Sequence, residues 1–222
     1  LIPETGYEEA LSLQRRLRNG RFDGKVGDVV LTVEHDPVFT IGRRGSLGNL
    51  RVAREALDSE GIHVCEVERG GDMTYHGPGQ LVVYPILDLR RYGRDLRRYV
   101  ERLEETAIRT LGAFGIAAGR ESGRPGVWTK KGKIASVGVH VRHWITLHGI
   151  ALNVDVNRAH FGMIRPCGLD VEVVSLSDLL GRPVELYDVE KRFMKEAARL
   201  FRWTLERIDR EALMRRLDET GA

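Results

Sequence analysis

The sequence predicts an α/β (α+β) fold in which a mixed, largely antiparallel β-sheet is flanked by helices. Residues 126–156 contain three consecutive strand patterns rich in Val, Ile and Thr. The longest helical pattern, residues 95–114, precedes them, and further helical patterns lie towards both ends of the chain. Because helices and strands do not alternate strictly, the order argues against a doubly wound parallel sheet.

In the first half of the chain, helix and strand patterns are mixed. Helical spacing of apolar residues predicts helices over residues 8–19 and 52–59. Strand patterns cover residues 28–35, 62–68 and 81–89. Pro85 predicts that the strand over residues 81–89 lies at a sheet edge or contains a bulge. The polar, basic residues 36–45 are predicted to form a loop.

The second half begins with hairpins. Strands are predicted over residues 126–128, 133–142 and 143–156, with a tight turn at Lys131-Gly132, so neighbouring strands should be antiparallel. Residues 161–170 look irregular, and Ser175 or Ser177 should cap a short helix over 175–180. Further predictions are helices at 189–200 and 211–217 and a strand at 203–208.

Length and composition restrict the class of protein. With 222 residues and 42% hydrophobic content, we expect one domain over residues 1–222. No apolar run reaches the ~18 residues of a membrane helix, and the acidic first residues lack a signal pattern. Cys65 and Cys167 lie far apart without CxxC spacing. They predict neither a disulfide scaffold nor a zinc site, and they favour a reducing cytoplasm.

The charge is mildly basic, with a formal net charge of +3. Charges of both signs are mixed, as in residues 90–106, whereas a nucleic-acid binder usually carries a concentrated basic stripe. We therefore expect no nucleic-acid partner. A weak positive charge would suit an acidic protein partner.

Cys167 is the first candidate for chemistry. It stands between Pro166 and Gly168, a context that can fix the side chain and leave backbone amides available. The thiolate could then be a nucleophile, and the amides could bind an oxyanion. The alternative is a small buried hydrophobic residue in a turn. A nucleophilic thiol would need a nearby cation or base to lower its pKa from about 8.5.

Lys133 could supply that cation. It is one of six lysines and begins a strongly apolar strand, where a lysine facing the sheet must be paired or functional. The alternative is a strand-end lysine that reaches solvent, as expected of Lys130 and Lys131. His76 and His148 are weaker candidates, because single histidines are more often structural. His63 and Cys65 share a strand face, but two residues make a poor metal site.

The glycine-rich segment of residues 69–80, RGGDMTYHGPGQ, has two interpretations. It is either a stiff connector between strands or one wall of a site. It matches neither of the common phosphate-binding glycine patterns. Its glycines would let a ligand approach the backbone closely.

Seven segments, taken together and in this order, resemble one family: HDPVFTIGRRG, RGGDMTYHGPGQLVVYPILDL, GVW, KIASVGVHV, HGIALNV, PCGL and VVSL. They resemble the lipoyl(octanoyl) transferases of the biotin/lipoate protein ligase-like superfamily, whose fold is a mixed sheet flanked by helices. Each motif alone is weak, but seven in order over residues 28–180 are specific.

The resemblance implies a reaction. Such enzymes move an octanoyl or lipoyl group from acyl carrier protein to a lysine of lipoyl domains, in 2-oxoacid dehydrogenases and the glycine cleavage H protein. This is the first step of protein lipoylation from endogenous octanoate. The resemblance implies a cysteine acyl-thioester, a cytoplasmic location and no cofactor, ATP or metal; we also expect a monomer.

The resemblance also implies residue roles. The nucleophile is Cys167, and Lys133 lowers the pKa of its thiol. Substrate binding falls on Arg69, Gly70, Gly71, Asp72, Met73, Thr74, Tyr75, His76, Ser136, Val137, Gly138, Gly149, Ile150 and Ala151. His76 would bind beside the reacting group rather than act as the base.

Three other functions compete with this one. An ATP-dependent lipoate or biotin ligase on the same fold would not need Cys167. A non-catalytic module for carrier proteins or lipids would bind without turnover. A nucleic-acid binder is suggested by the pI alone.

Overall fold

The structure is a computed structural model that describes residues 2–165 and 171–221. The described part forms ten strands: β1 (Ile2–Thr5), β2 (Val29–His35), β3 (Val38–Ile41), β4 (His63–Glu66), β5 (Met73–His76), β6 (Gln80–Ile86), β7 (Gly119–Glu121), β8 (Arg124–Thr129), β9 (Gly132–Arg142) and β10 (Ile145–Asn153). It also forms seven α-helices: α1 (Tyr7–Phe22), α2 (Arg54–Ser59), α3 (Leu96–Ala113), α4 (Arg158–Gly162), α5 (Leu176–Leu180), α6 (Leu186–Phe201) and α7 (Arg210–Thr220).

The strands make two sheets. The large sheet has seven strands in the order β1-β2-β6-β10-β9-β8-β7, and the small sheet has the order β4-β3-β5. In the large sheet only β1 and β2 pair in parallel, and the predicted β8–β9–β10 hairpins are present. In the small sheet β3 pairs in parallel with β4 and antiparallel with β5. The predicted mixed, largely antiparallel sheet is confirmed.

Helices cover both faces of the large sheet. The α3 and α6 helices pack together on one face, and α1 and α7 pack on the other. The side chain of Asp95 caps α3 by accepting from the N–H of Arg98. Four apolar residues of α3 recur every four positions and are buried: Tyr99, Leu103, Ala107 and Leu111. This stripe fixes the side of α3 that faces the sheet.

Pro85 does not mark an edge, because β6 is an interior strand of the large sheet. On one side Pro85 pairs with Val30 of β2. Towards β10, the paired register ends at Val83. His148 on β10 has a φ of 58°, and its N–H donates to Gln14 Oε1 at 2.9 Å. The ladder is thus interrupted near the residue that has no N–H to donate.

Two local predictions were wrong, and a third was incomplete. The glycine-rich segment is not only a connector, because it contains β5. Residues 36–45 are not all loop, because β3 (Val38–Ile41) lies within them and is buried at the centre of the small sheet. Residues 203–208 form no strand, and Trp203 instead stacks on Phe201 with ring centroids 4.4 Å apart.

The small sheet has its own apolar core, which includes Phe39, Met73 and Tyr75. The side chains of α4 and the turn after it also contribute, through Phe161 and Ile164. Among residues 2–165 and 171–221, no helix combines the length and apolar character needed to cross a membrane.

Candidate active site

A cavity of about 260 Å³ lies beside the β8–β9 hairpin. Its lining comes from the large sheet, from α4 and from the turns that follow β3 and precede β5. The lining residues are Arg44, Asp72, Gly123, Arg124, Pro125, Trp128, Lys133, Ser136, Asn153, Phe161, Val171 and Val173. Three of them are predicted site residues: Asp72, Lys133 and Ser136. Apolar and cationic side chains share the lining, so the cavity can take an apolar group beside a positive charge.

Lys133 is only 8% exposed, although Lys130 and Lys131 beside it are exposed. Its Nζ lies 5.3 Å from the centroid of the Trp128 ring, a cation–π contact. Of the two alternatives that the sequence leaves open, the structure shows the buried lysine and excludes the solvent-reaching one.

A bulge in the β8–β9 pairing helps to aim Lys133. Trp128 pairs with Lys133, but Val127 pairs with Ala135, so Ile134 is an extra residue on β9. Ile134 and Ala135 consequently both join the core under α3, although neighbours in a regular strand point to opposite faces. Bulges of this kind redirect side chains and are common next to active sites.

The turn after β3 is hydrogen-bonded to residues 69–72, the start of the glycine-rich segment. The N–H groups of Gly42, Arg43 and Arg44 donate to the carbonyls of Asp72, Arg69 and Gly71 at 3.1, 3.0 and 3.1 Å. A Cβ at Gly42 would lie 2.6 Å from the Gly71 oxygen, so this approach requires glycine. The two segments therefore form one rigid edge of the cavity.

Arg69 ties this edge to the small sheet. Its side chain is buried, and its guanidinium donates to the Thr40 carbonyl at 2.6 Å and to the Thr40 hydroxyl at 2.8 Å. The N–H of Gly70 donates to the carbonyl of Val139 on β9 at 2.9 Å. Arg69 and Gly70 thus attach the loop to both sheets.

The other two predicted substrate segments lie side by side. Ser136, Val137 and Gly138 pair with Ala151, Ile150 and Gly149, respectively. Ser136 faces the cavity, whereas Val137 and Ile150 contribute to the core under α3 and α6. Ala151 belongs to the core on the opposite face. Their substrate-binding roles stay predictions.

Residues 73–76 form part of the protein wall behind the glycine loop. Met73 and Tyr75 are fully buried, and Thr74 is half-buried opposite Thr40. The Tyr75 hydroxyl shares a hydrogen bond of 2.8 Å with Nδ1 of His160, and burial raises the pKa of Tyr75 to about 12. A substrate-binding role for these residues stays a prediction.

His76 is held in one tautomer by its neighbours. Gln80 Nε2 donates to the Tyr75 carbonyl and to Asn153 Oδ1, at 3.2 and 2.9 Å. Gln80 Oε1 is therefore an acceptor, and His76 Nδ1 must donate the 2.7 Å hydrogen bond to it. Burial is the main reason that the pKa of His76 lies well below its usual value, and the nearby His35 is the second reason. His76 is a neutral hydrogen-bonding group linked through Gln80 and Asn153 to the cavity.

Cys167 lies outside the described residues. On one side of that segment, the N–H of Arg165 donates to the carbonyl of Asn49 at 2.8 Å. On the other side, Val171 lines the cavity. The Lys133 N–H donates to the Glu172 carbonyl at 2.8 Å, and the Lys133 carbonyl accepts from the Val174 N–H at 3.0 Å. The chain that follows the predicted nucleophile is thus paired with the backbone of Lys133.

Sequence reasoning gave no site role to several lining residues. Trp128 stands in the GVW motif, and Arg44 stands in a basic pair between two glycines, which was a usable signal. Asn153 is a polar residue at the end of an apolar strand. Phe161 had no local signal. Among the described residues, no group of three His, Cys, Asp or Glu side chains could hold a metal ion.

Residues 6–198 match the model of the lipoyl protein ligase A/B catalytic domain family. The chain belongs to this family. Octanoyltransferases are similar over most of its length, and the one from Geobacter metallireducens is 50% identical over 186 residues, 83% of this chain and 84% of that protein. The octanoyltransferase of Caldicellulosiruptor bescii is 45% identical over 215 residues, 96% of this chain and 94% of that protein. The predicted family is confirmed.

A solved structure of this fold supports the architecture. The bipartite lipoate protein ligase of Thermoplasma acidophilum superposes with a TM-score of 0.70 at 13% identity, over 100% of this chain and 90% of that chain. At this identity the likeness concerns the fold alone. It confirms the predicted lipoate protein ligase-like fold for this member of the lipoyl protein ligase A/B family.

Proposed function

We propose that this chain is an octanoyltransferase, an acyltransferase of protein lipoylation. The observation that carries the proposal is the buried side chain of Lys133 on a cavity with apolar walls at Phe161, Val171 and Val173. The similarity to octanoyltransferases at 45–50% identity supports it.

The donor in this proposal is octanoyl-acyl carrier protein. The acceptors are lysines of lipoyl domains in 2-oxoacid dehydrogenase subunits and of the glycine cleavage H protein. Arg44 and Arg124 are exposed side chains on the cavity lining. These two arginines form a positive rim of the cavity, and a positive rim favours encounter with acidic protein partners. The chain acts as a monomer in this proposal.

The first step forms an acyl-enzyme. The Cys167 thiolate attacks the thioester carbonyl, a new carbon–sulfur bond forms, and the bond to the carrier sulfur breaks. The carrier leaves as a thiolate and takes up a proton from the Lys133 ammonium, which becomes the amine that the second step uses. The ammonium of Lys133 stabilises the Cys167 thiolate, which is the attacking form of cysteine. The paired backbones of Lys133 and Glu172 support this assignment, because they anchor the chain that follows Cys167 beside the lysine.

The second step transfers the acyl group to the acceptor. The neutral amine of the acceptor lysine attacks the acyl-enzyme carbonyl, the Cys167 thiolate leaves, and an amide forms. Lys133, as an amine, can take the proton that the attacking nitrogen loses. Because the donor arrives as a thioester, the reaction needs no ATP.

Substrate binding belongs to the three predicted segments. Asp72 and Ser136 contribute directly to the cavity lining. Gly70 and Gly71 would let a substrate approach the backbone closely. Gly138 instead gives room to the side chain of Arg69, because a Cβ at Gly138 would lie 3.0 Å from Arg69 Cδ. Thr74, Tyr75 and His76 support this wall, and we assign His76 a binding role beside the reacting carbonyl.

An ATP-dependent ligase on the same fold is the alternative, and a mass measurement separates the two. Octanoyl-acyl carrier protein without nucleotide should add one octanoyl group to Cys167, and a lipoyl domain should then remove it. Cys65→Ser is the matched control and should acylate normally, because Cys65 lies in a small core cluster away from the cavity lining.

Two results would contradict the proposal. One is a Cys167→Ser variant that modifies the lipoyl domain as fast as the parent. The other is modification that occurs only from octanoate plus ATP, which would favour the ligase.

A further inference from the structure

The side chain of Lys133 lies between the ring of Trp128 and the backbone of Gly126. Gly126 has a φ of 126°, and a Cβ there would lie 2.7 Å from Lys133 Cε and 3.3 Å from its Nζ. The same Cβ would lie 2.5 Å from the carbonyl oxygen of Ala135. The position of the Gly126 backbone therefore limits where the ammonium can lie.

A buried carboxylate from α3 holds that backbone. Glu104 is 5% exposed, and its Oε1 accepts the N–H of Gly126 at 2.8 Å. Its Oε2 accepts from Arg120 Nε on β7 at 3.0 Å. One side chain thus connects α3, β7 and β8 directly behind the Lys133 side chain.

We propose that Glu104 is a positioning residue, which fixes the Gly126 backbone and thereby sets the position of the Lys133 ammonium. The role rests on the proposed function, in which Lys133 stabilises the Cys167 thiolate. Glu104 acts through the hydrogen bond to Gly126 and not through its charge.

Glu105 is a matched control on the same helix. Its carboxylate accepts from Arg120 at 3.0 Å and from Arg109 at 2.9 Å. Glu105 therefore shares Arg120 with Glu104, but among the described residues its side chain makes no hydrogen bond to Gly126. Among the described residues, the charged side chains that line the cavity beside Lys133 are Arg44, Asp72 and Arg124, and the substitutions leave all three unchanged.

The test measures alkylation of Cys167 by iodoacetamide as a function of pH, with each cysteine followed by mass spectrometry. Burial raises the pKa of Cys65, so Cys65 is an internal reference that reacts slowly at neutral pH. Glu104→Asp keeps the charge but shortens the reach to Gly126. Glu104→Gln removes the charge and can keep an oxygen towards the Gly126 N–H, while its amide NH2 replaces the oxygen that accepts from Arg120. Gly126→Ala displaces the Lys133 side chain directly, and Lys133→Ala gives the full effect of losing the ammonium.

We expect Lys133→Ala to move the midpoint of the Cys167 alkylation profile to higher pH by about 1 pH unit or more, because the thiolate loses one nearby opposite charge. Glu104→Asp and Gly126→Ala should move it in the same direction by a smaller amount, while Glu104→Gln and Glu105→Asp should match the parent. A shift to lower pH with Glu104→Gln, the direction expected when a negative charge near the thiol is removed, would assign the effect to charge and overturn the positioning role. An upward shift with Glu104→Gln as large as with Glu104→Asp would show that the acceptor for Gly126 is not what matters, and would overturn it too. Equal profiles for Glu104→Asp and the parent would overturn it as well.

The result for Lys133→Ala separates this inference from the proposed function. If Lys133→Ala leaves the midpoint unchanged, the proposed role of Lys133 fails, and the positioning role fails with it. If Lys133→Ala shifts the midpoint and both Glu104→Asp and Gly126→Ala do not, only the positioning role fails.

Discussion

His35 lies in a buried cluster of aromatic rings between the N-terminal segment and the large sheet. Its ring centroid is 5.1 Å from that of Tyr7 and 5.8 Å from those of His76 and Tyr84. Nδ1 donates to the carbonyl of Thr5 at 2.9 Å, because a carbonyl can only accept. Nε2 therefore accepts from the Tyr84 hydroxyl at 2.8 Å. A second proton on His35 would remove this acceptor.

Acid should destabilise the fold through His35. Burial lowers the pKa of His35 to about 4, below the value of about 6.5 for an unfolded chain. The unfolded state then binds more protons between these two pH values, so the free energy of unfolding falls as pH drops. One such group contributes roughly 1.4 kcal/mol per pH unit in this window, or about 3 kcal/mol in all.

Urea titrations at pH 7, 6, 5 and 4.5 measure this effect. His35→Gln should be less stable than the parent at pH 7, but its stability should depend less steeply on pH. The exposed His63 offers the matched control, and His63→Gln should keep the parental slope. Equal slopes for His35→Gln and the parent would show that His35 is not the group that titrates.

At the scale of elements, the sequence predicts the parts whose signal is local. The β9–β10 hairpin and α3 follow from runs of β-branched residues and from a repeated apolar stripe. The short β3 and β5 strands escape this reasoning. Each has four residues between turn-forming segments, and each becomes a strand because partners distant in sequence pair with it. Such pairing overrides local preference.

In the candidate site, too, some features have a local sequence signal and others depend on partners distant in sequence. The apolar strand that begins at Lys133 leaves two positions open for the lysine, facing the sheet or reaching solvent, and in the structure Lys133 is buried. The direction of its side chain depends on the bulge opposite Trp128 and on the contact between Gly126 and Glu104. These are pairings across elements, for which the sequence carries no periodic signal. Asn153 and Phe161 join the cavity for the same reason.

The contact between β6 and β10 gives a prediction at the element scale. A Cβ at Gly149 would lie 2.0 Å from the Val83 carbonyl oxygen and 2.9 Å from Pro85 Cδ. Gly149→Ala must separate two interior strands, and we expect a loss of about 3 kcal/mol or more of unfolding free energy, at the upper end of overpacking costs. Gly119→Ala is the control, because a Cβ on the edge strand β7 would meet open space. Comparable losses in both variants, measured by urea unfolding, would contradict the steric explanation.

The whole molecule joins two sheets around the cavity. The loop before β5 reaches β9 through Gly70, and the segment after Val171 pairs with Lys133, so both connections are made to β9. Arg44 lies on the turn that follows β3, the central strand of the small sheet. It is exposed on the cavity lining, while the neighbouring Asp72 carboxylate accepts from Asn49 at 2.7 and 2.9 Å. The net charge of +3 is small, so this local charge matters more to a partner than the total.

Reversal of this charge should slow acylation by the carrier protein. Arg44→Glu should lower kcat/KM for octanoyl-acyl carrier protein by roughly tenfold at low ionic strength, and the loss should shrink as salt screens the charges. The small neutral donor octanoyl-pantetheine should show a much weaker effect, because it gains little from a positive rim. Arg97→Glu is the control, since Arg97 is 90% exposed on α3 and does not line the cavity. A loss that is independent of salt, or equal for both donors, would mean that Arg44 shapes the cavity and does not attract the carrier.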